Sequence, residues 1–318
     1  MRLSVTDMPE NFPVQGANGR ALSVFARVIN LSLDDPAGTQ NMVSIDARPD
    51  APLTPGVARL ETPAVLDFSR VVRPGARLSV RRGILRIRDA DLVLDFRNAA
   101  TNERGAPAEL PGPDVPAAGW TEAWDLILED AGPAGFAAAL HPDGGRSAYA
   151  RALARRVRNL VPDLLNATAT DDLARSRRAL RRLLGCGPGL TPSGDDFTTG
   201  FLLGLQTRAV TIGQHCLLHG LRAAARSRAV DSSDVSRTYL EQAAAGRYPE
   251  PMRRLAAGIA EQADDLRERM ANLLRFGHSS GSDAAFGLLC GLTVPDPGLR
   301  ERVLVRLDST QCHETFVQ

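Results

Sequence analysis

The chain has 318 residues, 43% hydrophobic and 24% charged, the composition of a soluble globular protein long enough for two domains of about 100 to 200 residues each. Its 38 basic and 37 acidic residues leave a net charge of +1, too little for a protein held mainly by nucleic-acid phosphates. Arginine supplies every one of those basic residues, so Schiff-base chemistry, lysine-bound pyridoxal phosphate and a Walker A lysine are excluded.

The amino terminus, MRLSVTDMPENFPVQG, carries acids and prolines where a secretory signal needs an apolar run. Nowhere does an apolar stretch reach the roughly 18 residues of a membrane-spanning helix. Cys186, Cys216, Cys290 and Cys312 have neither zinc-type spacing nor disulfide-rich density. A cytoplasmic protein with free thiols, and with neither nucleic acid nor membrane as partner, is expected.

From Ala21 to Phe96 the segments ALSVFARVINLSL, NMVSIDA, GVARLE, ARLSV and GILRIRDADLVLDF are short, rich in Val, Ile and Leu, and broken by Pro, Gly and Asp. That is the pattern of strands and turns. Alternation is clearest from Gly83 to Phe96, where Ile84, Leu85, Ile87, Leu92, Leu94 and Phe96 sit among arginines and aspartates. Residues 1–110 are expected to form a small antiparallel β barrel or sandwich. The Pro-, Gly- and Ala-rich stretch from Asn98 to Gly119 supports neither period and reads as a domain boundary or a long exposed loop.

Residues 111–318 are expected to be all helical, which makes the fold class α+β. Apolar spacing and end signals predict helices at Thr121–Leu140, Ser147–Leu160, Thr170–Leu184, Asp195–Thr207, Gly213–Arg228, Val235–Ala245, Pro249–Phe276, Ser282–Leu292 and Pro297–Leu307. The second and third, with Arg146 just before them, hold ten arginines: Arg146, Arg151, Arg155, Arg156, Arg158, Arg175, Arg177, Arg178, Arg181 and Arg182. Such a run is either a docking face for an acidic partner or anionic ligand, or a solvated surface in a chain that uses arginine in place of lysine.

Two glycine-rich stretches carry the chemistry. Gly185 to Leu205 reads GCGPGLTPSGDDFTTGFLLGL, and Gly277 to Leu292 reads GHSSGSDAAFGLLCGL. Laying Ser193–Leu205 over Ser280–Leu292 gives the shared pattern S-G-x-D-x-x-x-G-x-L-x-G-L, identical at seven of thirteen positions, and implies an internally duplicated glycine-rich helix motif. Glycines four apart share one helix face and remove its bulk, so Gly200 and Gly204 are expected to pack closely against Gly287 and Gly291. Glycine inside a helix costs about 1 kcal/mol relative to alanine, and close packing is the expected compensation. The two loops would then converge on one pocket.

At each helix start unpaired N–H groups and a partial positive charge favour an anion, yet aspartates stand there too. In one reading Ser193 with Asp196, and Ser280 with Asp283, are capping boxes. In the other, the loops form a ligand site, with Asp195, Asp196, His278 and Asp283 as catalytic candidates and Gly187, Gly189, Thr191, Ser193, Gly194, Ser236, Arg237, Ser279, Ser280 and Gly281 as substrate-binding candidates. Two carboxylates repel a bare phosphate, so either a cation intervenes, with Asp195, Asp196 and Asp283 as candidate Mg²⁺ ligands, or the acids accept hydrogen bonds from an amide or carbamoyl NH₂. No cofactor is otherwise required. Arg237 is a two-pronged donor for carboxylate or phosphate, or else the partner of Glu241 in a surface ion pair. His278 can act as proton shuttle or donor near neutrality. His215 and His219, with Cys216 between, read as a surface pair or two ligands of a metal lacking a third, and Cys312 and His313 as part of a polar tail.

The stretches GPGLTPSGDDFTTGFLLGL, SRTYLEQAAAGRYPEP and GHSSGSDAAFGLLCGL together resemble the family of the third subunit of oxamate carbamoyltransferase, strongly from Gly185 to Leu292 and vaguely over the amino-terminal strands. The resemblance implies anaerobic allantoin and purine-nitrogen catabolism, in which a complex of several different subunits interconverts oxalurate and phosphate with oxamate and carbamoyl phosphate. Its implied partners are a small anionic or carbamoyl substrate and companion subunits. Alternatives are a metabolite-binding or scaffolding subunit without chemistry of its own, and a hydrolase of amides or carbamoyl groups using metal-bound water at the aspartates.

Overall fold

A computed structural model describes residues 1–308 apart from 11, 37, 39, 49–55, 62–65, 103–114 and 210. The chain divides into two compact units, Met1–Ala106 and Pro107–Gln318. The expected boundary at residues 110 and 111, like Cys312 and His313, lies outside the described residues.

The first unit is a closed barrel of eight strands: β1 (Arg2–Pro9), β2 (Gly16–Val24), β3 (Val28–Asp34), β4 (Gln40–Asp46), β5 (Val57–Glu61), β6 (Arg77–Arg81), β7 (Ile84–Ile87) and β8 (Leu92–Asp95). Their order around the sheet is β5-β4-β3-β2-β6-β7-β8-β1, and pairing of β5 with β1 closes it. Closure leaves no bare edge along these strands. Of the two architectures expected, it selects the barrel. The pairings are antiparallel except β4 with β5 and β1 with β8, and a ninth strand, β9 (Ala100–Asn102), continues the parallel side of β1. β1 and β9 lie outside the strand-like segments, and Asn98–Gly119 is less irregular than expected because β9 and the start of the first helix fall within it. The alternation from Gly83 to Phe96 places Leu85, Ile87, Leu92, Leu94 and Phe96 in the barrel core and leaves Ile84 half-exposed.

The second unit is helical: α1 (Ala117–Asp130), α2 (Ala148–Ala169), α3 (Leu173–Leu183), α4 (Ser193–Arg208), α5 (Ile212–Ala229), α6 (Asp234–Ala244), α7 (Glu250–Glu261), α8 (Leu266–Leu274), α9 (Ser280–Leu292) and α10 (Pro297–Leu307). Two predicted helices are interrupted. The first stops at Asp130, because Gly132 and Pro133 cannot continue it, and a 3-10 turn follows at Ala137–Leu140. The stretch from Pro249 to Phe276 breaks at Gln262, which adopts φ 51° in the left-handed region and turns the chain so that Leu266 and Met270 of α8 reach the same core as Leu255 and Ile259 of α7. At the centre lie α4 and α9, buried nearly throughout.

On the arginine-dense pair α2–α3, several guanidiniums serve the fold itself: Arg156 donates to Arg182 O at 2.9 Å, Arg158 to Ala139 O at 3.1 Å, and Arg175 pairs with Asp163. Among the described residues no helix is long and apolar enough to cross a membrane.

Candidate functional site

The glycine seam sets the distance between the two helix starts. A Cβ on Gly200 would stand 2.0 Å from Ala284 O and one on Gly287 2.0 Å from Phe197 O; Gly204 and Gly291 repeat the relation at 2.4 Å with Leu288 O and Phe201 O. Each helix thus presses its glycines against the partner's carbonyls in the same register. One step earlier, Gly194 and Gly281 face the carbonyls of Leu183 and Leu273 at 1.8 and 1.9 Å by the same measure, and their N–H groups donate to Cys186 O and Phe276 O at 2.8 Å. Approaches this close admit no side chain, and they fix both loops against the preceding helices. Gly187 and Gly189 turn the first loop at φ 114° and 100°, conformations that favour glycine.

With the starts so placed, the loops meet: the Thr191 and Ser280 hydroxyls are 2.9 Å apart. Neither α4, with Pro192 at its N-cap, nor α9, with Ser279, has a side-chain cap bond. The capping-box arrangement is therefore not what holds the aspartates.

Three aspartates of similar local sequence have three environments. Both oxygens of Asp195 are engaged: Oδ1 accepts from Gly185 N at 2.7 Å, and Oδ2 from Ser232 Oγ at 2.9 Å and Ser236 Oγ at 2.5 Å. Ser233 Oγ also donates to Leu190 O, so the start of α6 is laced to the first glycine loop. Asp195 is a tether between the first glycine loop and α6.

Asp283 is fully buried. Its Oδ1 accepts from Phe136 N at 2.6 Å and more weakly from Ala137 N at 3.4 Å, while Oδ2 has no hydrogen-bond partner among the described residues. Burial pushes its carboxyl up to about 7, opposed by the nearby Ser193 hydroxyl and the Phe136 N–H. Asp196 is 7% exposed, and its Oδ2 likewise has no partner. Burial first, and the neighbouring Asp283 second, hold its acidity far weaker than usual; the Ser280 and Thr191 hydroxyls beside it only partly compensate. An acid pair in a dry site resists losing both protons.

Ser193 is buried, Ser279, Ser280 and Thr191 are half-buried, and His278 is exposed on the second loop. Ser236 joins the cluster through Asp195. Arg237 is not brought to the loops by any contact among the described residues: it pairs with Asp234 at 3.3 Å, rather than with Glu241, and reaches the Ala229 and Val230 carbonyls at the end of α5. Missing from the sequence reading is the segment Gly135–Ala137. A Cβ on Gly135 would stand 2.4 Å from both Asp283 oxygens, so this turn wraps the carboxylate as it donates to it. Its one visible signal is the cluster AGPAGF. His215, Cys216 and His219 are exposed on α5, and among the described residues no three His, Cys, Asp or Glu side chains are grouped to hold a metal.

Fold and site together define a two-unit protein: a closed β barrel, and a helical unit in which two glycine-rich helix starts enclose a pair of buried carboxylates. The chain belongs to the AllH family. The model described as oxamate carbamoyltransferase subunit AllH matches residues 183–292, and that of the AllH family N-terminal domain matches residues 4–102. The first match runs from the end of α3 through α9 and so contains both helix starts; the second spans the barrel strands. No curated protein and no solved structure matches the chain. The family description, a subunit of oxamate carbamoyltransferase, is consistent with a subunit role for this chain.

Proposed function

We propose that this subunit takes part in the interconversion of oxalurate and phosphate with oxamate and carbamoyl phosphate, and that the paired starts of α4 and α9 hold the carbamoyl-bearing substrate. The observation that carries the reading is the Asp196–Asp283 pair: two buried carboxyls, each with an unpartnered oxygen, where two helix N-termini meet. In the direction of oxalurate breakdown a phosphate oxygen attacks the carbamoyl carbon, the bond from that carbon to the oxamate nitrogen breaks, and that nitrogen takes up a proton. An amide nitrogen leaves poorly as an anion, so a carboxyl that retains its proton near neutrality is suited to supply it. Asp196 is that group, Asp283 holds the complementary charge behind it, and His278 on the exposed loop can return the proton. The phosphate, repelled by carboxylates, is placed against N–H groups of the glycine loops.

The reading is tested by assaying phosphate-dependent oxalurate breakdown by the assembled complex, with wild-type chain and with Asp196→Ala. Turnover in the wild type and a loss of about 100-fold or more in the variant is expected for a general acid. Unchanged turnover in Asp196→Ala, or none in the wild-type assembly, would refute it.

A further inference from the structure

A cluster of cationic and imidazole side chains stands apart from the helix starts, in an open groove between α3 and α5. On α5, His215, Leu218, His219 and Arg222 recur at intervals of three and four residues and so share one face. With Leu173 and Arg177 of α3 they line a cavity of about 630 Å³, and among the described residues no Asp or Glu lines it. Gly220 lets the two helices close on each other there, since a Cβ on it would stand 2.5 Å from Leu173 Cδ1. Its carbonyl accepts from Arg177 Nε at 3.1 Å, which pins that guanidinium and leaves both Nη groups without a hydrogen-bond partner among the described residues. Arg222 is held through Nη2, which donates to Gln206 Oε1 and to Tyr248 Oη. Both histidines are exposed, and their rings have no partner among the described residues. A metal is not the occupant this set suits: no three His, Cys, Asp or Glu side chains among the described residues are grouped to hold one, and two guanidiniums repel a cation.

We propose that this groove binds a phosphate monoester, its phosphate on Arg177, His215 and His219 and its organic body against Leu173 and Leu218. The two Nη groups of Arg177 present N–H donors side by side, the spacing of two oxygens of one phosphate. Each imidazole adds a ring N–H in either protonation state, and Arg222 adds charge. A carboxylate brings two acceptor oxygens and one charge. A phosphate ester brings three terminal oxygens and close to two charges, which matches donors arriving from two helices. The leucines in the same groove give an apolar body contacts that inorganic phosphate cannot make. The site is separate from the paired helix starts: Arg177 precedes Gly185, and Arg222 precedes Ser232, by about 10 to 15 Å of chain at 1.5 Å per residue.

Imidazole C–H signals in the NMR spectrum of the full-length chain locate the binding, because its five histidines include His215 and His219 in the groove and His278 on the second glycine loop. Phenyl phosphate is expected to shift His215 and His219 along one saturable curve. Benzyl alcohol, which lacks the phosphate, is expected to leave them unmoved, and inorganic phosphate to bind about threefold or more weakly for want of the apolar contact. Arg177→Met keeps the aliphatic stem but loses the guanidinium, and should weaken phenyl phosphate about tenfold. His219→Gln changes an exposed side chain, leaves His215 as reporter and should weaken binding about threefold. Asp196→Asn, at the helix starts, should leave the curve unchanged. Melting curves establish that the variants fold, and the wild-type series stands without them. Shifts that never saturate, shifts that benzyl alcohol reproduces, equal affinity for inorganic phosphate, or wild-type affinity in both Arg177→Met and His219→Gln would each overturn the site. So would loss of the curve in Asp196→Asn, which would place the phosphate at the helix starts, or saturable Zn²⁺ binding at His215 and His219 that excludes phenyl phosphate.

Discussion

Substituting Gly200 by alanine tests whether the glycine seam positions the site. The new Cβ would stand 2.0 Å from Ala284 O and 2.8 Å from Leu288 N, both backbone atoms of a buried helix that cannot swing aside as a side chain can. An ordinary contact needs about 3.5 Å, so α4 and α9 must part by roughly 1.5 Å. Overpacking of a tight core costs about 1 to 3 kcal/mol, with the upper end fitting a backbone obstacle, and alanine returns about 1 kcal/mol of helix propensity. The net expectation is a loss of about 2 kcal/mol, or roughly 4 to 8 °C in melting temperature for a unit of this size. Thermal and urea unfolding of Gly200→Ala would measure it. Gly298→Ala in α10 is the control: its nearest neighbour is Asp296 Oδ1 at 3.5 Å, and it should be neutral or gain up to about 1 kcal/mol. Gly287→Ala meets Phe197 O at the same 2.0 Å, so the double variant should cost less than the sum, because helices already parted by one methyl admit the other. A Gly200→Ala protein as stable as wild type, or fully additive losses, would refute the reasoning.

Two further outcomes separate the aspartates by role. Asp195→Ala removes the acceptor of Gly185 N and of two serine hydroxyls, and should lower unfolding free energy by about 3 kcal/mol in urea titration; a loss under about 1 kcal/mol would show that the tether is not needed. Because burial raises the Asp283 and Asp196 carboxyls, the fold retains protons that the unfolded chain has released. Their contribution to stability is therefore full at low pH and lost as pH climbs, from about 4 toward about 7 for Asp283 and in the same direction for Asp196, with a slope of at most about 1.4 kcal/mol per pH unit for each group. Unfolding by urea between pH 4.5 and 8 should show the decline and Asp283→Asn should reduce it; a decline identical in the variant would contradict the assignment.

The parts of the fold visible in the sequence are those with a local cause. Alternation in Ile84–Phe96 follows from a strand with one face on a core, and the glycine seam follows from four-residue spacing within each helix. The breaks divide along the same line. Gly132 and Pro133 mark the end of α1 plainly, but the turn at Gln262 has neither glycine nor proline, and is imposed by α7 and α8 both needing the same core. β1 and β9 escaped notice for a similar reason: paired in parallel with strands or strand segments distant in sequence, they carry no hairpin turn to announce them.

The candidate site shows where local pattern stops informing. SGDDF and SGSDAAF present nearly the same helix start, and sequence places Asp196 and Asp283 as equivalents. Their difference arises in what arrives from elsewhere. Both have hydroxyl neighbours, Ser193 and Ser279 for Asp283 and Thr191 and Ser280 for Asp196, but the turn at Gly135–Ala137, more than a hundred residues before Asp283 in the chain, adds two N–H groups to Asp283. A hydroxyl can donate or accept and so suits either protonation state, whereas an N–H group can only donate and favours the charged one. The near-symmetry of the two helices places the carboxyls together, and what reaches each of them from elsewhere in the chain makes their environments differ.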